Sequence, residues 1–171
     1  MVPNYFLTSE RLGFRAWTEA DLPLALGLWG DPNVTARIGG PFTVEMIRAR
    51  LAMEIAQMQE CGLQYWPVFL LGDDRHVGCA GLRPYRPELQ IHEFGIHLRR
   101  EYWGQGLAME ASQAVIDYAF DQLGAKALFA GHHPANEASR RLLLKLGFVY
   151  THDEMYPPTG LMHPSYLLSR K

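Results

Sequence analysis

The segment Trp103-Gly104-Gln105-Gly106-Leu107-Ala108 carries the first chemical signal in this chain. It follows a strand-like run and opens a helix-periodic one. Glycine-rich turns at a helix start leave backbone N–H groups unpaired at the positive end of the dipole, and such turns bind phosphate. A Walker A loop ends in Gly-Lys-Ser/Thr, whereas Leu107 follows Gly106 here, so that reading fails. A dinucleotide fingerprint needs a third glycine where Met109 stands and an acid at the end of the next strand, and Lys126 to His132 contains none. The pair His132-His133 would point to opposite faces of a strand and has no third ligand at a suitable spacing, so no metal site is expected. Cys61 and Cys79 are too few for a disulfide framework and match no zinc spacing.

The elements that must position this loop follow from periodicity. Thr18-Glu19-Ala20-Asp21 resembles a capping box, and Leu22, Leu26 and Trp29 follow at helical spacing, so a first helix is expected to end near Gly30. Asp31-Pro32-Asn33 and Gly39-Gly40-Pro41 bracket a loop. Thr43 then opens a second helix with Ile47, Leu51, Ile55 and Met58 on one face and Gly62 as its stop. Tyr65 to Leu71 and Val77 to Leu82 read as a hairpin around Gly72-Asp73-Asp74-Arg75, and Ile91 to Leu98 as a third strand. Leu107, Ala111, Val115 and Tyr118 mark the helix after the glycine turn. Ala125 to Gly131 is a strand candidate, Pro134 to Leu146 a helix closed by Gly147, and Phe148 to Met155 and Ser165 to Leu168 are two last strands.

Composition bounds the function. The chain has 171 residues, 48% of them hydrophobic and 20% charged, which suits one domain over 1–171 with a sizeable core. Sixteen Lys plus Arg against eighteen Asp plus Glu give a net charge of −2, which argues against a general nucleic-acid binder. Only Lys126, Lys145 and Lys171 are lysines. The other cations are arginines, the better forked partners of phosphate. The N-terminal residues do not read as a signal peptide and no apolar run is long enough to span a bilayer, so a soluble, cytoplasmic protein without a membrane partner is expected.

In order along the chain, Ser9-Glu10-Arg11-Leu12, Leu22, Asp31-Pro32, Glu93, Tyr102 to Ala111, Asn136-Glu137-Ala138-Ser139 and Lys145-Leu146-Gly147-Phe148 resemble the GNAT superfamily of acetyl-CoA-dependent N-acetyltransferases. The likeness looks closest to its Rim-type branch, which includes ribosomal-protein N-terminal acetyltransferases, and it runs from about Thr8 to Phe148. The resemblance implies an α/β (α+β mixed) fold, a mostly antiparallel sheet of six to seven strands flanked by about four helices. It also implies acetyl-CoA as co-substrate and direct attack by an amine on the thioester, which needs a base, an oxyanion donor and a proton for the leaving thiolate.

By that resemblance Trp103, Gly104, Gln105, Gly106, Leu107 and Ala108 form the pyrophosphate loop. Trp103 replaces the family's usual Gln or Arg, as is common in the Rim-type branch. Ile96, His97 and Leu98 would pair with the pantetheine arm, Asn136 would touch the cofactor, and an N–H near Leu98 would face the oxyanion. Glu93 matches the acidic position of the family's fourth strand and is the candidate base. In a regular strand it shares a face with Gly95 and His97, so Glu93 and His97 could act through one water, and a β-bulge would break that phase. Many members place Tyr seven residues after the Asn. Leu143 stands there, and Ser139 matches the Rim-type serine as thiolate partner.

Each residue also has an ordinary reading: Gly104 and Gly106 as turn formers, Asn136 as N-cap, Glu93 as a solvated strand residue, Ser139 as a helix-start residue. Glu110, near a helix start, reads as structural. Arg99, Arg100, Arg140 and Arg141 read as solvated charges or coenzyme A phosphate contacts. The expected activity is acetyl transfer to a primary amine, on a protein N-terminus or a small molecule. A non-catalytic acyl-CoA-binding module of the same fold is the alternative. Segments 29–42 and 155–164 would shape the acceptor surface, and a homodimer would be unsurprising for the family.

Overall fold

A computed structural model describes residues 3–171. Eight strands and five α-helices follow one another as β1 (Leu7–Thr8), β2 (Leu12–Phe14), α1 (Leu22–Trp29), α2 (Pro32–Thr35), α3 (Val44–Cys61), β3 (Tyr65–Leu70), β4 (His76–Arg86), β5 (Ile91–Leu98), α4 (Leu107–Asp121), β6 (Ala127–Gly131), α5 (Glu137–Lys145), β7 (Val149–Tyr156) and β8 (Leu161–Ser169). All eight strands form one sheet in the order β1-β2-β3-β4-β5-β6-β8-β7.

The order of elements matches the sequence expectation, with local differences. The strand count exceeds the expected six to seven because two short strands, β1 and β2, pair across a turn at Ser9–Arg11. The fifth helix is α2, a single turn inside the expected loop. Asp31 caps it by accepting the Asn33 N–H (2.9 Å), and Pro32 fits its first position. The capping box at Thr18 is present, with Asp21 accepting the Thr18 N–H (2.8 Å), and residues 19–21 wind as a 3₁₀ turn before α1. The α5 helix begins at Glu137 rather than Pro134, because Asn136 is the cap.

The α3 helix starts and stops where its caps dictate. Thr43 Oγ1 accepts the Met46 N–H (3.2 Å), and Gly62 ends the helix at φ 72°, a left-handed conformation that suits glycine. Two apolar clusters sandwich the sheet. On one face Leu107, Ala111, Val115 and Ala119 of α4 and Leu143 of α5 pack on Trp66, Leu82, Phe94 and Leu98. On the other, Ala25, Leu28 and Trp29 of α1 and Ile47 and Leu51 of α3 pack on Tyr65 and Cys79. Sheets covered on both faces account for the near-continuous burial of β3 and of β4 up to Leu82.

Every adjacent pair of strands is antiparallel except β5 and β6. That parallel pair is short: Ile91, His92 and Glu93 face Ala127, Leu128 and Phe129, and pairing then stops although β5 runs on to Leu98. The sheet therefore parts at the carboxyl ends of two parallel strands, the place where open α/β sheets bind ligands.

Candidate active site

The opening between β5 and β6 leaves backbone groups without a strand. Arg99 donates its N–H to Val77 O on β4 (2.9 Å), and the β4–β5 register is continuous from Gly78↔Leu98 to Pro84↔His92. Alternation then directs the backbone of Gly95 and His97 toward β4, and that of Ile96 and Leu98 toward the opening. The only register shift lies between Pro84 and Arg86, so no bulge disturbs the phase, and Glu93, Gly95 and His97 share one face. Trp103 Nε1 donates to Leu98 O (2.9 Å) and ties the strand end to the glycine loop. The Leu98 N–H stays on the open side.

That loop reaches α4 through two residues in the left-handed region, Gly104 at φ 72° and Gly106 at φ 76°. Gly106 is the N-cap and has no side chain to satisfy the first N–H groups of the helix, so those of Leu107, Ala108 and Met109 form an anion cradle. Leu107 itself is buried in the core, so it offers the cradle only its backbone. The loop is braced from the N-terminus. Arg11 donates to Gln105 O (3.1 Å) and to Glu110 Oε2 (2.7 Å), while Glu110 Oε1 accepts from Ser9 Oγ and the Arg11 N–H (both 2.7 Å). Partial burial opposes its ionisation, yet these bonds hold the Glu110 carboxyl below its ordinary range. The structural reading of Glu110 holds, and the Ser9…Arg11 motif proves to be its partner.

Across the sheet, Tyr65 lies over two glycines. Register places Tyr65 beside Gly81 and Gly81 beside Gly95, and a Cβ at Gly95 would overlap the Tyr65 hydroxyl. The phenol so admitted comes within 3.5 Å of Glu93 Oε1. Burial raises the Glu93 pKa above the usual carboxylate value. Arg83 opposes the rise and Glu154 adds to it. His97 is held neutral, its pKa pushed down to about 3 by burial and by the Arg50 and Arg83 guanidiniums. Trp29 Nε1, which can only donate, bonds His97 Nδ1 (3.1 Å), so the imidazole proton sits on Nε2. The expected Glu93–His97 pairing on one face is present, but with that tautomer Nε2 donates and does not collect a proton.

Beneath these groups Glu54 of α3 is fully buried. Its Oε1 accepts from Arg50 Nε (3.0 Å) and Arg83 Nη2 (2.8 Å), and its Oε2 from the Tyr65 N–H (2.9 Å). Both guanidiniums also lie over the Tyr65 ring, at 5.5 and 4.4 Å from its centroid. On the far side of the opening Tyr85 stacks on Phe129 at 4.0 Å and donates to Glu154 (3.1 Å). A roof joins the two sides: Gly39 presses on Pro158 of the β7–β8 turn, and Arg37 bonds Ala135 O at the entry to α5. Segments 29–42 and 155–164 thus meet over this face.

At the start of α5, Asn136 Oδ1 accepts the Ser139 N–H (3.1 Å), so the capping role of Asn136 is present and its Nδ2 is not used by it. The cap engages the backbone of Ser139, not its hydroxyl. Leu143 is packed in the core, and no phenol stands at that position. The half-buried Arg99 turns its guanidinium to His76 Nδ1 (3.1 Å) and Leu24 O (3.3 Å), which makes it a brace between the sheet and α1. His132 turns its ring nitrogens to His133 O (2.7 Å) and the Tyr166 hydroxyl (3.0 Å). Sequence reasoning gave Arg11 no role beyond its motif, and it missed the parts played here by Trp29, Arg50, Glu54, Tyr65 and Arg83. Only Gly81 and Gly95, two glycines in neighbouring strands, hinted that a large ring must cross there.

Residues 11–149 match the family model described as an acetyltransferase (GNAT) domain. The chain is 32% identical over 144 residues to "Uncharacterized N-acetyltransferase p20" of Bacillus licheniformis, covering 83% of this chain and 81% of that protein. It is 30% identical over 145 residues to "Uncharacterized N-acetyltransferase YoaA" of Bacillus subtilis, with 83% and 81% covered. Among solved structures it resembles a GNAT-family acetyltransferase from Bacillus anthracis, at TM-score 0.79 and 25% identity over 94% of this chain and 95% of that one. It also shares its fold with RimL, a ribosomal L7/L12 α-N-protein acetyltransferase solved with coenzyme A, at TM-score 0.82 and 16% identity over 97% and 98%.

Proposed function

Because this chain belongs to the GNAT acetyltransferase family, we propose that it uses acetyl-CoA to acetylate a primary amine, on a protein N-terminus or a small molecule, by direct transfer. The observation that carries the reading is the parting of β5 from β6 after Glu93. It puts unpaired strand backbone and an anion cradle at one opening, with a carboxyl of raised pKa beside them. These features fit an extended, amide-bearing, diphosphate-bearing ligand.

Bound acetyl-CoA supplies the activated acetyl group. The backbone of Ile96, with the Leu98 N–H beyond it, meets the pantetheine arm as an added strand would, whereas the His97 backbone, expected to join them, is spent on β4; the Trp103–Ala108 loop holds the pyrophosphate through its N–H groups. Asn136 contacts the arm through Nδ2. The Leu98 N–H faces the carbonyl oxygen as negative charge develops there. Glu93, ionised, takes the ammonium proton, directly or through a water oriented by His97 Nε2–H. After attack the nitrogen sheds its remaining extra proton through water, and the Ser139 hydroxyl relays one to the leaving thiolate, regaining its own from that chain. We read the chain as Rim-type within the family: Trp103 at the head of the loop and Ser139 on α5 support that reading, and the fold shared with RimL is consistent with it.

One observation favours a second reading, an acyl-CoA-binding module without turnover: Leu143 occupies the core where many members carry a tyrosine. Thermal unfolding with acetyl-CoA, coenzyme A, ATP and NAD in parallel, then free-thiol release over an amine panel, decides. Stabilisation by acetyl-CoA with thiol release supports the enzyme, since a ligand specific for the folded state raises its apparent stability. Binding without release on any amine supports the module, and no binding refutes both.

A further inference from the structure

Among the described residues, six buried side-chain polar atoms have no hydrogen-bond partner, and the only two on charged groups are Arg50 Nη2 and Arg83 Nε. Both belong to the acceptor face. Buried polar atoms are nearly always satisfied, so each such atom needs an account. The guanidiniums share one oxygen of a single carboxylate, Glu54 Oε1, while Glu54 Oε2 is taken by the Tyr65 N–H. One buried anion thus offsets two buried cations. Glu93 balances the second only while ionised, and it loses that charge when it takes a proton from the amine.

Resting on the acetyl-transfer reading, we infer that the acceptor is a small amine that also carries a carboxylate, with that carboxylate seated on Arg50 and Arg83 while its amine faces Glu93. The register sets the scale: Arg83 and Glu93 are cross-strand partners, and such residues stand about 5.5 Å apart at Cα in a hydrogen-bonded pair. A carboxylate only a few bonds from the amine, as in an amino acid, spans that distance. The Nε–Nη2 edge of each guanidinium faces Glu54, and the two Nη1 groups, which bond nothing among the described residues and are not among the buried orphans, remain for the ligand carboxylate on side chains 15% and 24% exposed. Tyr156 of β7 faces the same charges, with burial raising its phenol and Arg50 and Arg83 drawing it back down. The roof of Gly39 on Pro158 and Arg37 on Ala135 covers this face, which suits a small acceptor better than a folded protein's terminus.

The test compares free amino acids with their carboxamides and with the corresponding decarboxylated amines, in the wild type and in Arg50→Gln and Arg83→Gln. Each substitution leaves Glu54 one guanidinium, so the buried anion is not orphaned. Expected is at least a tenfold preference in kcat/KM for the carboxylate form, carried mainly by KM. The preference should collapse toward one in either variant, with coenzyme A affinity unchanged. Equal use of amides and acids, or a preference that survives both substitutions, overturns the inference and leaves acetyl transfer standing. If no amine turns over, calorimetric titration of the coenzyme A-loaded protein with the same amino acids still decides. Binding that needs the carboxylate and both arginines upholds the acceptor site while acetyl transfer falls, and no binding overturns the inference.

Discussion

Replacing Glu93 by Gln keeps the shape of the side chain and removes its capacity to take a proton. General-base assistance contributes 10²- to 10⁴-fold, about 3–5 kcal/mol of barrier, so kcat at neutral pH is expected to fall within that range. Glu93 sits half-buried under Tyr65, and burial raises its pKa while Arg83 restrains the rise. The acid limb of the wild-type kcat/KM profile should therefore lie above the ordinary glutamate value of about 4.3, with activity present above the limb and lost as pH falls through it. His97 contributes no limb near neutrality, being neutral down to about pH 3. Glu154→Gln removes a negative charge that helps to raise Glu93, so it should move the limb to lower pH. The assay is free-thiol release from pH 5 to 9 with the amine varied through its KM, so that kcat and kcat/KM are both read, and with coenzyme A affinity measured by titration as a control. A Glu93→Gln enzyme with wild-type kcat, or one whose acid limb stays where it was, refutes the assignment; a loss of coenzyme A affinity equal to the loss of rate moves Glu93 from chemistry to binding.

Gly95→Ala should force the Tyr65 ring off Glu93, at a cost of about 1–3 kcal/mol for overpacking; urea unfolding checks it, and a larger cavity from Tyr65→Leu should recover much of that loss. Glu54→Gln leaves two buried guanidiniums with a neutral partner and should destabilise by about 3–5 kcal/mol, measured the same way. Arg11→Ala unties the glycine loop from Glu110 and should raise the coenzyme A dissociation constant with little effect on the acid limb. His76, 6% exposed and accepting from Arg99, has its pKa pushed down to about 3 by burial and by that guanidinium. Its unfolded form binds a proton below about pH 6.5 and its folded form does not, so stability is lost as pH falls below 6.5, by about 2 kcal/mol at pH 5. Unfolding at pH 7 and 5 should show that loss shrinking in His76→Gln.

The sequence by itself determined what is local. Cap chemistry at Thr43 and Asn136, the glycine stops at Gly62 and Gly147, and periods of two and of 3.6 placed nearly every element, because hydrogen bonds and steric limits within a few residues decide them. The unpaired N–H groups at the start of α4 were legible for the same reason: Gly104 and Gly106 carry the backbone reversal that exposes them in one short segment. The face shared by Glu93, Gly95 and His97 followed from strand alternation, and it held because no bulge intervened.

Tertiary structure decided everything that joins distant segments. No local pattern says that Tyr65 crosses Gly81 and Gly95 to reach Glu93, that Trp29 fixes the tautomer of His97, or that Glu54 of α3 is fully buried between two arginines. Nor does it say that the Arg99 guanidinium reaches His76 and the Leu24 carbonyl of α1. Charges on a helix or strand look alike in sequence whether water or a neighbouring element receives them. Burial, which sets their pKa values and their partners, exists only once the layers have closed.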